Sequence, residues 1–213
     1  MRFWEDTHKP TQEIAEELLG CLIVKETPEG IASGWIVETE AYLGEIDRAA
    51  HSYQRKQTPR LHSMYQKPGT IYIYQMHTHY MLNLVVQEKD IPEAILIRAL
   101  EPEDGIHLML DRRNRPITEL TDGPGKLTRA LAVTKADDGT DISEPPLYID
   151  LEKKRVPREI VTSPRIGIPN KGEWTEASLR YTVKGNPFVS RRRKTEDSVD
   201  KGWLSAVNAS KES

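Results

Sequence analysis

A single cysteine, Cys21, in a chain of 213 residues leaves no partner for an internal disulfide and excludes a cysteine-rich zinc site. It opens the apolar run CLIV, the setting of a buried structural thiol rather than of a nucleophile. No apolar run reaches the ~18 residues that a membrane-spanning helix needs. The opening stretch MRFWEDTHKPTQ has no apolar h-region, so a secretory signal is not expected and the cytoplasm is. Internal repeats and low-complexity segments are missing too. So is an excess of positive charge. The formal net charge is −3, which argues against a generic binder of phosphate polymers, whose affinity rests on surplus Lys and Arg.

What is present suits one substantial globular domain: 37% hydrophobic and 30% charged residues, enough apolar mass for a real core. The charges are unevenly spread. Acids gather at Glu13 to Glu17, Glu101 to Asp104 and Asp137 to Asp141; bases gather at Arg55 to Arg60, Arg112 to Arg115 and Arg191 to Lys194. Patches separated in this way can present one basic face, although each alone is an ordinary solvated surface.

Along the chain, Pro10 to Gly20 reads as a short helix with Thr11 as its cap and Ile14, Ala15, Leu18 and Leu19 as its apolar stripe. CLIVKE and SGWIVETEAY read as a hairpin joined through Thr27-Pro28-Glu29-Gly30. The polar stretch from Gly44 to Gly69 is too long for a simple connection and is expected to be functional or partly structured. TIYIYQM and HYMLNLVV are strands with an abrupt junction at Met76-His77-Thr78, and AILIRALEP is another. Gly105 to Arg113 and Pro124 to Val133 look helical; LYIDL, IVTSPRIGI and LRYTVKG supply late strands. Strands in hairpin succession predict a single α+β domain with a mostly antiparallel sheet and peripheral helices. The domain is expected over residues 1–190, followed by a polar tail, 191–213, that frays.

Four groups of residues carry possible chemistry. In Glu38-Thr39-Glu40 the strand period of two puts both carboxylates on one face, where mutual repulsion raises the proton affinity of the less solvated one. His77 and His79 form an HxH pair without further ligands, too little for a metal site. Tyr42, Tyr65, Tyr72, Tyr74 and Tyr80, interleaved with bases, are either ordinary strand formers or a stacking platform for nucleobases. Asp122-Gly123-Pro124-Gly125-Lys126-Leu127-Thr128 lacks the spacing of a nucleotide-binding phosphate loop. It does place Lys126 in the first turn of a helix, where an anion would relieve the clash with the helix dipole; a phosphate and plain solvent are equally suited.

Six strings, in order, resemble the alkyladenine (3-methyladenine) DNA glycosylase family: Ile36 to Gly44 (IVETEAYLG), Asp47 to Ser52 (DRAAHS), Lys67 to Tyr74 (KPGTIYIY), Ile97 to Pro102 (IRALEP), Gly123 to Leu127 (GPGKL) and Pro164 to Gly167 (PRIG). The similarity runs from about Leu18 to Ser190. It implies a single domain around a curved antiparallel sheet and a monofunctional enzyme that flips an alkylated purine out of duplex DNA and hydrolyses its N-glycosidic bond. Glu40 matches the general base for water; Arg98 matches the arginine that helps hold that water, aided by backbone near Ile166. Tyr42 and His51 match the residues that sandwich the base, Tyr74 completes the pocket, and Asn83 matches the asparagine that disfavours guanine. Lys126 would meet the DNA backbone. Between Tyr74 and Asn83 the chain is one residue shorter than in better-known members, which wedge a tyrosine into the duplex; here the tip offers Met76 and His77 as the intercalating residues. The resemblance implies double-stranded DNA with alkylated bases as partner and a monomer, with no metal, nucleotide cofactor or membrane. Two rivals stay open: a non-catalytic damage binder, which would not need Glu40, and a nucleoside or RNA glycohydrolase.

Overall fold

The computed structural model describes residues 2–205. Eight strands, β1 (Cys21–Thr27), β2 (Gly30–Tyr42), β3 (Ile71–Met76), β4 (His79–Val85), β5 (Ala94–Pro102), β6 (Leu147–Lys154), β7 (Ile160–Ser163) and β8 (Arg180–Val183), form one open sheet. Its main path runs β3-β4-β5-β2-β1-β6, with β8 joining β2 and β7 joining β8, and every pairing between named strands is antiparallel. Four helices, α1 (Thr11–Glu17), α2 (Ile106–Arg113), α3 (Pro124–Ala130) and α4 (Glu173–Glu176), complete an α+β fold. No helix among the described residues is long and apolar enough to cross a membrane.

The 13-residue β2 is the spine. One edge pairs with β5; the other pairs first with β1 and then, from Glu38 to Glu40, with β8. The Glu38-Thr39-Glu40 segment is thus covered on both edges, and all three residues are fully buried. Beside it the β2–β5 register shifts, so that Ile36 faces Leu100, Glu38 faces Ala99 and Thr39 faces Ile97. Arg98 lies in this irregularity, a device that re-aims a side chain.

Alternation divides the sheet chemically. Ile71, Ile73, Leu82, Leu84, Ile95, Ile97 and Ala41 point into the main core, which Ile14, Ala15 and Leu18 of α1 share. Their sequence neighbours Tyr72, Tyr74, Met81, Asn83, Leu96, Arg98 and Tyr42 line a cleft on the other face. The first set stabilises the platform, at roughly 1.5–3 kcal/mol per fully buried aliphatic side chain. The second set is free to do chemistry. Gly125 lets α3 approach this platform: a Cβ there would stand 2.7 Å from the Cβ of His79.

Three local expectations need correction. Thr11 does not cap α1 with its side chain; its hydroxyl donates to Glu93 across the fold, and Pro10 occupies the cap position. The strand expected over IVTSPRIGI ends at Ser163, because Pro164 has no N–H for a ladder and Arg165 turns inward. The polar stretch after Arg191 does not fray at its start. Trp203 is buried, its indole N–H donates to Glu101 Oε2 at 2.8 Å, and Lys201 pairs with Glu101 Oε1. The count of charges hid that buried acceptor. Residues 206–213 of the expected tail lie outside the described residues. The stretch from Gly44 to Gly69 is partly structured, as expected, with short 3-10 turns at Gly44–Ile46, Tyr53–Arg55 and Pro59–Tyr65.

Candidate active site

The cleft encloses about 170 Å³. Its floor is Leu96, Met81 and Asn83; its walls are Tyr42, Tyr72, Tyr74 and His51; Ile166 to Ile168 and Pro124 close one side, and Met76 stands at the rim. A mostly apolar cleft with four aromatic rings and few polar groups suits a planar ligand.

Glu40 lies beneath these walls and is fully buried. Oε2 accepts the Tyr42 hydroxyl at 2.9 Å and sits 3.4 Å from Arg98 Nη1; Oε1 accepts the Ile166 N–H at 2.7 Å. All three partners line the cleft, which places the carboxylate directly behind its lining. Burial raises the Glu40 pKa above the ordinary value near 4.5, Glu38 adds to that, and Arg98, the Ile166 N–H and the Tyr42 hydroxyl oppose it. An ionised carboxylate has about four lone-pair positions. The three donors leave about one of these positions for a water to donate to.

Glu38, the neighbouring acid, is fully engaged elsewhere. Arg98 Nε (3.2 Å), Arg180 Nε (2.6 Å), and the N–H and hydroxyl of Ser190 (2.8 and 2.9 Å) converge on its two oxygens. Its role is to hold Arg98, which then reaches Glu40 with another nitrogen.

The aromatic walls are linked to one another. His51 Nδ1 lies 3.1 Å from the Tyr72 hydroxyl, and its ring meets Tyr74 edge-on at 4.5 Å. Desolvation, then the charges of Arg60 and Lys56, push the His51 pKa below 6.5, so the ring is neutral at pH 7. Desolvation by burial raises the Tyr74 hydroxyl to about 12, keeping it a neutral donor. The Asn83 amide nitrogen donates to the carbonyls of Tyr72 and Met81, both at 3.1 Å, which leaves its oxygen as the group presented to a ligand. Arg60 Cζ stands 5.4 Å over the Tyr74 ring, bringing the 55–60 basic run to the mouth.

The expected site residues Glu40, Arg98, Tyr42, His51, Tyr74 and Asn83 therefore meet at one place. Met76 reaches the rim, half exposed, while His77 is exposed at the hairpin turn with φ +54° and does not line the cleft. Lys126 follows the lining residue Pro124 closely but is paired with Asp122 at 2.9 Å, so the anion that a lysine at a helix start favours comes from the chain itself. Among the described residues no group of three or more His, Cys, Asp or Glu side chains is placed to hold a metal ion. Sequence reasoning missed the buried Arg165–Asp47 pair and the direct part of Tyr72. Both Arg165 and Asp47 stand inside strings that carry the resemblance, but nothing in their spacing shows that they touch.

The family model described as methylpurine-DNA glycosylase matches residues 5–187. Relatives named "Putative 3-methyladenine DNA glycosylase" include one from Enterococcus faecalis (strain ATCC 700802 / V583), 49% identical over 94% of this chain and 88% of its own. Another, from Staphylococcus haemolyticus (strain JCSC1435), is 53% identical over 88% and 93%. A third, from Staphylococcus aureus (strain bovine RF122 / ET3-1), is 51% identical over 87% and 92%. Matches of this extent leave no large part of the chain unaccounted for. With the buried carboxylate and its aromatic cleft, they establish that the chain belongs to the methylpurine-DNA glycosylase family and is a DNA glycosylase.

Proposed function

We propose that the protein removes alkylated purines of the 3-methyladenine type from duplex DNA by flipping the nucleotide into this cleft and hydrolysing the N-glycosidic bond with a water activated by Glu40. The observation that carries the reading is a fully buried carboxylate held by groups that all line an aromatic slot. Alkylation at N3 or N7 makes the purine a cationic, ready leaving group. The barrier then lies mainly in the sugar, whose oxocarbenium-like charge Glu40 stabilises while accepting the water's proton. Arg98 orients the carboxylate. Tyr42, His51, Tyr72 and Tyr74 enclose the base, and Asn83 offers an oxygen that accepts hydrogen bonds. Among the described residues no lysine lines the cleft, which supports simple hydrolysis without an amine nucleophile. Lys126 can exchange Asp122 for a DNA phosphate at little cost, since a half-exposed pair contributes only about 0–1 kcal/mol. Incubation with alkylated duplex DNA should yield free base and intact strands bearing abasic sites; release of neither would overturn the proposal.

Glu40 must be ionised to act, and its pKa is raised by burial. Activity is therefore expected to fall as pH drops through a midpoint above the ordinary glutamate value near 4.5. A single-turnover pH–rate profile reads this directly. An acid limb at or below 4.5 would contradict the raised pKa.

The hairpin tip supports the flipping half. Met76 is 48% exposed beside the cleft, an apolar side chain able to fill the gap left by an extruded nucleotide. Replacing Met76 and His77 together by glycine should weaken binding to paired lesion duplex by about tenfold or more, because the flipped state is less populated. The loss should shrink on a bulged lesion, where unstacking is already partly complete. Equal losses on both substrates would assign the tip to pocket support instead.

A further inference from the structure

Arg165 sits in the segment Pro164 to Asn170, which has no regular structure and so no ladder of hydrogen bonds to hold it. Its side chain is nevertheless fully buried against an equally buried Asp47, with Nη2 on Oδ1 at 3.0 Å and Nη1 on Oδ2. Nη1 also donates to the Ala41 carbonyl at 3.0 Å, and Nη2 reaches the Trp174 carbonyl at 3.4 Å. Nε has no hydrogen-bond partner among the described residues, so the burial is not cost-free. Burying two charges is expensive, and apolar residues would stabilise such a site equally well. A role in geometry explains the expense better than a role in stability.

The contacts name that geometry. Asp47 also accepts the N–H groups of Leu43 (3.1 Å) and Ala49 (2.9 Å), which folds the turn leading from β2 to Ala49 and His51. The Arg165 guanidinium lies 4.6 Å from the centroid of the Tyr42 ring. The next residue, Ile166, gives its N–H to Glu40 Oε1. We infer that Arg165 is a positioning residue: its two-pronged grip on Asp47 sets the Ile166 N–H and the Tyr42 hydroxyl against the two oxygens of Glu40. The inference rests on the proposed role of Glu40 as base.

The charged and titratable groups facing Glu40 are Glu38 and Tyr42 from its own strand, Arg98 from β5 and Tyr74 from β3, with Arg180 of β8 behind Glu38. Only the Tyr42 hydroxyl and the Ile166 amide depend on Arg165, and both favour the ionised carboxylate. Disturbing Arg165 should therefore make Glu40 easier to protonate.

Two variants of the full chain, Arg165→Lys and Ile166→Pro, test this on alkylated duplex DNA. Lysine keeps the charge but not the fork; proline removes the N–H while keeping both members of the ion pair. For Arg165→Lys the single-turnover plateau should fall by roughly 10²-fold, the cost of a misplaced catalytic group. Its acid limb should move to higher pH by about one unit, a tenfold change in the ionisation equilibrium. Ile166→Pro should show the same displaced limb. A folded Arg165→Lys protein with a lower plateau and an unmoved limb would make the residue merely structural and overturn the inference. Should Arg165→Lys fail to fold, Asp47→Asn, which loosens the same grip from its other end, is read in its place: a displaced limb supports the inference and an unmoved one overturns it. Failure of the Glu40 reading shows separately, as a Glu40→Gln protein that keeps its rate.

Discussion

Glu40→Gln is expected to lower single-turnover base release by about 10³-fold or more, since general-base action and charge stabilisation are lost together. Binding to lesion-containing DNA should stay within a factor of a few, because Glu40 lies below the cleft and the walls that enclose the base are untouched. Glutamine keeps the shape and can still accept the Ile166 N–H with its oxygen. Its amide nitrogen then faces the Tyr42 hydroxyl, which can rotate to accept, and Arg98, which cannot. Rate and affinity therefore separate. A variant that keeps most of the wild-type rate would remove Glu40 from the chemistry, and one that loses affinity in proportion would mean the pocket itself had collapsed.

Glu38→Ala should have the largest effect on stability. The fully buried Glu38 carboxylate neutralises Arg98 and Arg180, whose side chains are only 9% and 14% exposed, and it also receives both donors of Ser190. Alanine leaves Arg180 without its acid and Arg98 with only the longer contact to Glu40. Removing one member of a buried ion pair costs about 3–5 kcal/mol. For a chain of this size that corresponds to roughly 6–20 °C in Tm. Thermal unfolding at neutral pH measures it, and a change under about 2 °C would show that the two arginines find water or other acceptors at once. Activity of whatever folded protein remains should also drop, because Arg98 loses the partner that aims it at Glu40. Glutamine at the same position should cost less, as it can still accept from one guanidinium and from Ser190.

Period and punctuation by themselves determined most of the scaffold. The hairpin of β1 and β2, the bounds of β5 and the start of α3 at Pro124 follow from alternation and turn residues, both local properties of the chain. The same alternation placed Glu38 and Glu40 on one face, and the ordered strings contain Glu40, Tyr42, His51 and Arg98, which the fold brings to one place with Asn83. Tertiary structure decided what those residues are for. Glu38 and Glu40 are equivalent in sequence, yet β8 brings Arg180 to one and the segment after β7 brings the Ile166 amide to the other, across 142 and 126 positions of chain. Only that closure makes one acid an anchor and sets the other directly behind the lining of the cleft. Likewise Arg165 reads as one more charge in a loop until the fold buries it on Asp47, 118 positions away. Trp203 lies in a polar stretch until Glu101, 102 positions earlier, offers it a buried acceptor. Local sequence specifies which groups lie on a face. Partners that arrive from distant strands set their protonation, their orientation and hence their task, and a short-range pattern carries no record of those arrivals.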